Sequence, residues 1–108
     1  MLKEILKIQQ KEIIKGFKGQ FFHTNNFTIA FWEIDKGAIL PEHSHIHEQT
    51  TQVIKGKLEM TIDHKTMIVE AGMIVHIPSK IKHSGKALTN CKLTDTFHPT
   101  REDYKFDL

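Results

Sequence analysis

Between Lys57 and Asp63 the chain alternates strictly, with Leu58, Met60 and Ile62 on one parity and Lys57, Glu59 and Thr61 on the other. A period of two belongs to a half-buried β-strand, because successive side chains of an extended chain point to opposite faces. His64-Lys65 then turns the chain into Thr66 to Val69, which predicts a hairpin. Before it, Thr50 to Lys55 forms another apolar-polar run that ends at Gly56. After it, Ala71-Gly72 turns into Met73 to Ile77, and Pro78 stops that strand. A lysine-bearing loop (Lys80, Lys82, Lys86) is expected around His83, followed by a last strand from Cys91 to about Phe97. Towards the start, Phe27 to Ile34 (FTIAFWEI) is aromatic and β-branched with apolar side chains on both faces, which predicts a strand packed on two sides. Asp35-Lys36-Gly37 and Asn25-Asn26 read as turns, and Gly16 and Gly19 as punctuation. Residues 1–14 fit both a short amphipathic helix and an edge strand. Short, regularly spaced strands with little helix predict an all-β sandwich or small barrel.

Composition narrows the class. A chain of 108 residues forms one domain, 1–108, and buries a core without disulfides. Fifteen basic and thirteen acidic residues are scattered along it, so no stripe argues for nucleic acid or a membrane surface. The single cysteine, Cys91, has no internal partner, and the first residues lack the apolar core and cleavage site of a signal peptide, so a cytoplasmic setting is expected. Eight histidines are the compositional oddity.

Three of them fall in HSHIHEQ, residues 43–49, with Glu48 and Gln49. On an extended strand His43 and His45 share a face and can reach one ion, and Pro41 favours an extended entry. A second signal lies in the last strand, where Leu93, Asp95 and Phe97 alternate with Lys92, Thr94 and Thr96. That parity puts Asp95 on the apolar face, where a carboxylate is costly unless paired or used. Arg101, beyond Pro99, is close enough to turn back as its salt-bridge partner or as a clamp for a substrate carboxylate.

The spacing of these residues resembles that of the cupins. Gly37, His43, His45, Gln49 and Gly56 match the first cupin motif (37–56), and Gly72, Pro78 and His83 match the second (72–87). The resemblance implies an all-β, double-stranded β-helix (jelly-roll) barrel in a single domain, with a divalent metal (zinc, nickel, manganese or iron) at His43, His45, Gln49 and His83. Gln49 stands where a glutamate is usual, Lys80 replaces a glycine and Ala87 an asparagine. A neutral amide ligand leaves the ion its full charge, which favours Lewis-acid over redox work. Glu48 is the rival ligand, one residue away. His47 is expected beside the site or facing solvent, His76 as a structural residue, and His23, His64 and His98 on the surface.

DTFHPTRED, with Asp95, Phe97 and Arg101, is similar to the small KdgF-type cupins of uronate catabolism. That likeness implies conversion of a small anionic 4,5-unsaturated uronate to an open-chain keto sugar. Asp95 would be the acid/base, Phe97 would pack on the sugar and Arg101 would grip its carboxylate. The alternatives are a metal-dependent dioxygenase and a non-catalytic module that binds a small ligand in the same cavity. The ligand histidines must be neutral, so metal affinity is expected to fall below about pH 6. Apolar surface on FTIAFWEI and the N-terminal segment predicts a homodimer.

Overall fold

The alternations become strands of two antiparallel sheets packed face to face, the double-stranded β-helix that the motifs implied. The computed structural model describes residues 1–106. In chain order the strands are β1 (Lys11–Ile14), β2 (Phe17–His23), β3 (Thr28–Ile34), β4 (Ile39–His43), β5 (Glu48–Lys55), β6 (Lys57–Ile62), β7 (Lys65–Glu70), β8 (Ile74–Ile77), β9 (His83–Ala87) and β10 (Cys91–His98). One sheet has the order β1-β2-β3-β10-β5-β8 and the other β4-β9-β6-β7. Among the described residues, no helix is long and apolar enough to cross a membrane.

β10 is the central element. It pairs with β3 along one edge and β5 along the other, so Asp95 faces Ala30 and Thr51, and Phe97 faces Thr28 and Gln49. All of these side chains point between the sheets and are buried. Leu93, Val53, Trp32, Ile34 and Cys91 continue the stack, and Leu58, Met60, Val69 and Ala87 meet it from the other sheet. The apolar residues thus fill one end of the barrel and the polar ones collect at the other.

Several expectations are corrected. FTIAFWEI is not packed on two sides: Thr28, Ala30, Trp32 and Ile34 are buried, but Ile29 and Phe31 are half-buried and Glu33 is exposed, so only one face of the strand meets the core. β2 runs straight through Gly19, which leaves room for Trp32: a Cβ there would lie 2.8 Å from the indole. Residues 1–14 divide between both readings, a 3₁₀ turn at Ile5–Lys7 and the edge strand β1. The β6–β7 hairpin turns at Asp63-His64, one residue earlier than expected, with φ of 49° and 65°. Two positive φ values match the right-handed twist of the flanking strands.

The largest difference is β9, which forms where a loop was expected. HSGKA has weak strand propensity, but β4 and β6 on either side supply its hydrogen bonds. β4 also carries an irregularity between Leu40 and His43, so three residues of β4 oppose two of β9. The extra residue falls at Pro41-Glu42, and proline, which has no N–H for the ladder, is accommodated at such bulges. Leu40 and His43 therefore both face inward, although their spacing would put them on opposite faces of a regular strand.

Candidate metal centre

Strand pairing brings the histidines together. His43, at the end of β4, is the direct cross-strand partner of His83 at the start of β9, and their ring centroids lie 4.2 Å apart. His45 lies in the loop after β4 and not on a strand as expected, yet its ring comes within 5.0 Å of His83 and 5.7 Å of His43. One ring nitrogen of each of the three lies within 4.8 Å of the others.

Hydrogen bonds decide which nitrogen that is. Nδ1 of His43 donates to the Pro41 carbonyl at 2.8 Å, Nδ1 of His83 to Ile81 at 2.9 Å, and Nδ1 of His45 to His47 at 3.0 Å. A carbonyl only accepts, so each Nδ1 carries the proton of its neutral ring and each Nε2 keeps a lone pair. The Nε2 of His83 is buried and has no hydrogen-bond partner among the described residues. Across from them, the Gln49 amide oxygen sits 3.0 Å from the His45 Nε2. Two acceptors at that distance repel unless a proton or a cation lies between them. Three imidazole nitrogens and an amide oxygen converging on one point are a donor set that fits a divalent metal. Glu48, the rival, turns outward and pairs with His76 at 2.7 Å, with both side chains exposed.

Electrostatics agree with neutral rings. Burial lowers the His83 pKa to about 4. Burial first and then the charge of Arg101 lower His45 and His47 as well. His47 is half-buried at the rim, with its Nδ1 unpartnered and its carbonyl serving His45.

Beyond the histidines lies a cavity of about 280 Å³, whose lining includes Trp32, Leu40, Met60, Asp95, Phe97 and Arg101. Burial raises the Asp95 pKa to about 6, against the bonded donors of Thr51 and Trp32, the nearby Gln49 amide and the charge of Arg101, which lower it. The expected Asp95–Arg101 salt bridge does not form. Arg101 instead gives Nε and Nη2 to Asp103 at 2.9 and 2.7 Å, while its guanidinium lies over Phe97 and Tyr104 at 4.7 and 4.1 Å. Burial disfavours its charge, but the Asp103 carboxylate holds it ionised. Sequence reasoning missed four contributors: Asp103, Tyr104, Trp32 and Thr51. Only Thr51 left a signal, its shared parity with Gln49.

The sequence profile described as "Cupin domain" matches residues 30–97. Among solved structures, an RmlC-like cupin from Shewanella frigidimarina superposes with a TM-score of 0.91 at 27% identity, over 95% of this chain and 94% of that one. KdgF from Halomonas sp. gives 0.87 at 22% identity, over 93% and 94%. Salicylate 1,2-dioxygenase from Pseudoaminobacter salicylatoxidans, in adducts with gentisate, gives 0.76 at 16% identity, over 80% of this chain and 26% of that one. No match to the sequence is found among curated proteins.

Proposed function

Because the chain belongs to the cupin domain family, we propose that it is a metal-dependent enzyme that converts 4,5-unsaturated uronates, small anionic sugars, to open-chain keto sugars. The observation that carries this reading is Asp95: a buried carboxyl group with a pKa near 6, in the same cavity as four converging metal-ligand atoms. The likeness in fold to KdgF supports it.

A divalent metal at His43, His45, His83 and Gln49 would supply Lewis acidity to the substrate's oxygens. The remaining work falls to the chain's own residues. Arg101 keeps the guanidinium edge that is not bonded to Asp103, and offers it to the sugar carboxylate as a planar fork. Phe97, with its ring 5.7 Å from that of His45, packs against the sugar. The reaction is an isomerisation: the ring C–O bond breaks, the anomeric hydroxyl loses a proton, and the alkene carbon at position 4 gains one. Asp95 manages the proton at carbon, since a group titrating near neutral pH both gives and takes it readily. The mostly apolar cavity wall limits water at the enol.

The test follows loss of the conjugated-enol absorbance with unsaturated galacturonate and its alginate-derived counterpart. Metal-loaded protein should consume the signal and metal-stripped protein should not. Asp95→Asn, assayed at metal concentrations that keep the site loaded, should lose about 100-fold or more in turnover. Oxygen uptake in place of that signal would move the reading to a dioxygenase, and binding without turnover to a non-catalytic module.

A further inference from the structure

The inner faces of β3, β5 and β10 carry a hydrogen-bonded chain whose direction is fixed at one end. Trp32 Nε1, which can only donate, gives its proton to Asp95 Oδ2 at 2.9 Å. With Asp95 ionised, Thr51 Oγ1 gives its single proton to Asp95 Oδ1 at 2.5 Å. With that proton spent, the Thr51 oxygen can only accept, and it receives Gln49 Nε2 at 2.9 Å. The Gln49 amide nitrogen is thereby committed to the barrel interior, and its oxygen faces the histidines. Gln49, Thr51 and Asp95 are all buried, so few competing partners reach the chain.

We infer that Thr51 is a positioning residue for the metal centre, its hydroxyl holding the Gln49 amide with oxygen rather than nitrogen toward the ion. The inference rests on the metal-centre reading above. The two ends of a carboxamide are nearly equal in size, so packing alone does not choose between them. An amide turned the other way would present two N–H groups to a cation. The Thr51 hydroxyl removes that orientation, and Asp95 and Trp32 remove the freedom of Thr51.

The experiment titrates metal-stripped protein with Zn²⁺ or Ni²⁺ by calorimetry. Thr51→Val keeps the side-chain shape and deletes the hydroxyl, and affinity should fall about 10- to 100-fold, as for other losses of a ligand's hydrogen-bond partner. Thr51→Ser should restore it. In a Gln49→Leu background, or in Gln49→Glu where both oxygens accept, Thr51→Val should change affinity by no more than about twofold, because it acts only through the amide. Asp95→Asn must keep its oxygen on Trp32 and turn its amide toward Thr51, which reverses the chain. It should weaken metal binding in the same way, and it carries the test if Thr51→Val does not fold. Unchanged affinity in these variants, or an equal loss in the Gln49→Leu background, would overturn the inference. A wild-type protein that binds neither metal would overturn the metal-centre reading itself.

Discussion

At the scale of single residues, Gln49 would decide how much charge meets an ion in the proposed metal centre. Gln49→Glu should tighten divalent-metal binding by about tenfold or more, since a carboxylate adds an opposite charge at the same reach. It should also destabilise the metal-free protein, because the new carboxylate is buried and loses the donor that bonds Thr51. Titration calorimetry and urea melts read the two effects separately. The pH dependence of the metal-free protein follows from three histidines and one aspartate. The unfolded chain takes up a proton at His83 below about pH 6.5, whereas the folded chain does so only near 4. Stability is therefore lost as pH falls through that window, by up to about 3 kcal/mol from His83. His45 and His47, also lowered, act in the same direction. Asp95 opposes them: the folded chain keeps its proton up to about pH 6 and the unfolded one releases it near 3.8, so this group loses stability as pH rises between the two. Urea midpoints should thus fall from pH 7 to pH 5, and fall more steeply in Asp95→Asn. Among residues, Asp95 was legible because parity on a regular strand fixes a face, and Gln49 through its motif spacing to Gly56. The partner of Arg101 was not, because Asp103 reaches it through a 3₁₀ turn that no strand periodicity describes.

At the scale of elements, regular alternation was legible and compensation between neighbours was not. β6 and β10 alternate cleanly, and their inward residues were read correctly. β9 was missed because its own residues barely favour a strand, and its stability comes from β4 and β6, distant in sequence. The inward turn of Leu40 and His43 together depends on a bulge that parity cannot reveal. Turn glycines give a contrast that can be measured. Gly56 and Gly72 both have positive φ, at 93° and 89°, but a Cβ on Gly56 would collide with the Asn90 carbonyl and the Thr89 hydroxyl, whereas one on Gly72 meets open space. Gly72→Ala should cost about 1–2 kcal/mol from backbone strain alone. Gly56→Ala should cost several kcal/mol, because the collision adds to the strain. Denaturant melts of the two variants test the difference.

At the scale of the whole molecule, metal and partner both bear on stability. An ion present at about 100 times its dissociation constant adds roughly 2.7 kcal/mol, which for a domain of this size raises Tm by about 10 °C or more. Thermal melts with Zn²⁺ or Ni²⁺, reversed by a chelator, should show it. The chain exposes 6988 Å², while a globular monomer of 12.5 kDa exposes only about 6200 Å². Leu2, Ile5 and Leu6 contribute to the excess, held in solvent by a 3₁₀ turn whose Ile5 and Ile8 carbonyls accept from the Gln20 amide. We propose a second copy of the chain as the occupant of this apolar surface, so sedimentation should give twice the mass of one chain, and a monomeric mass at micromolar concentration would rule it out. The central place of β10 also has a consequence for synthesis. Nine strands precede it in the chain, yet it alone joins β1-β2-β3 to β5-β8. A nascent chain that has not reached Cys91 holds its larger sheet as two separate ribbons, with the facing edges of β3 and β5 unpaired and without Asp95 or Phe97. A ribosome that stalls early therefore releases neither a closed barrel nor a half-working one, and the exposed edges mark the fragment for chaperone or protease.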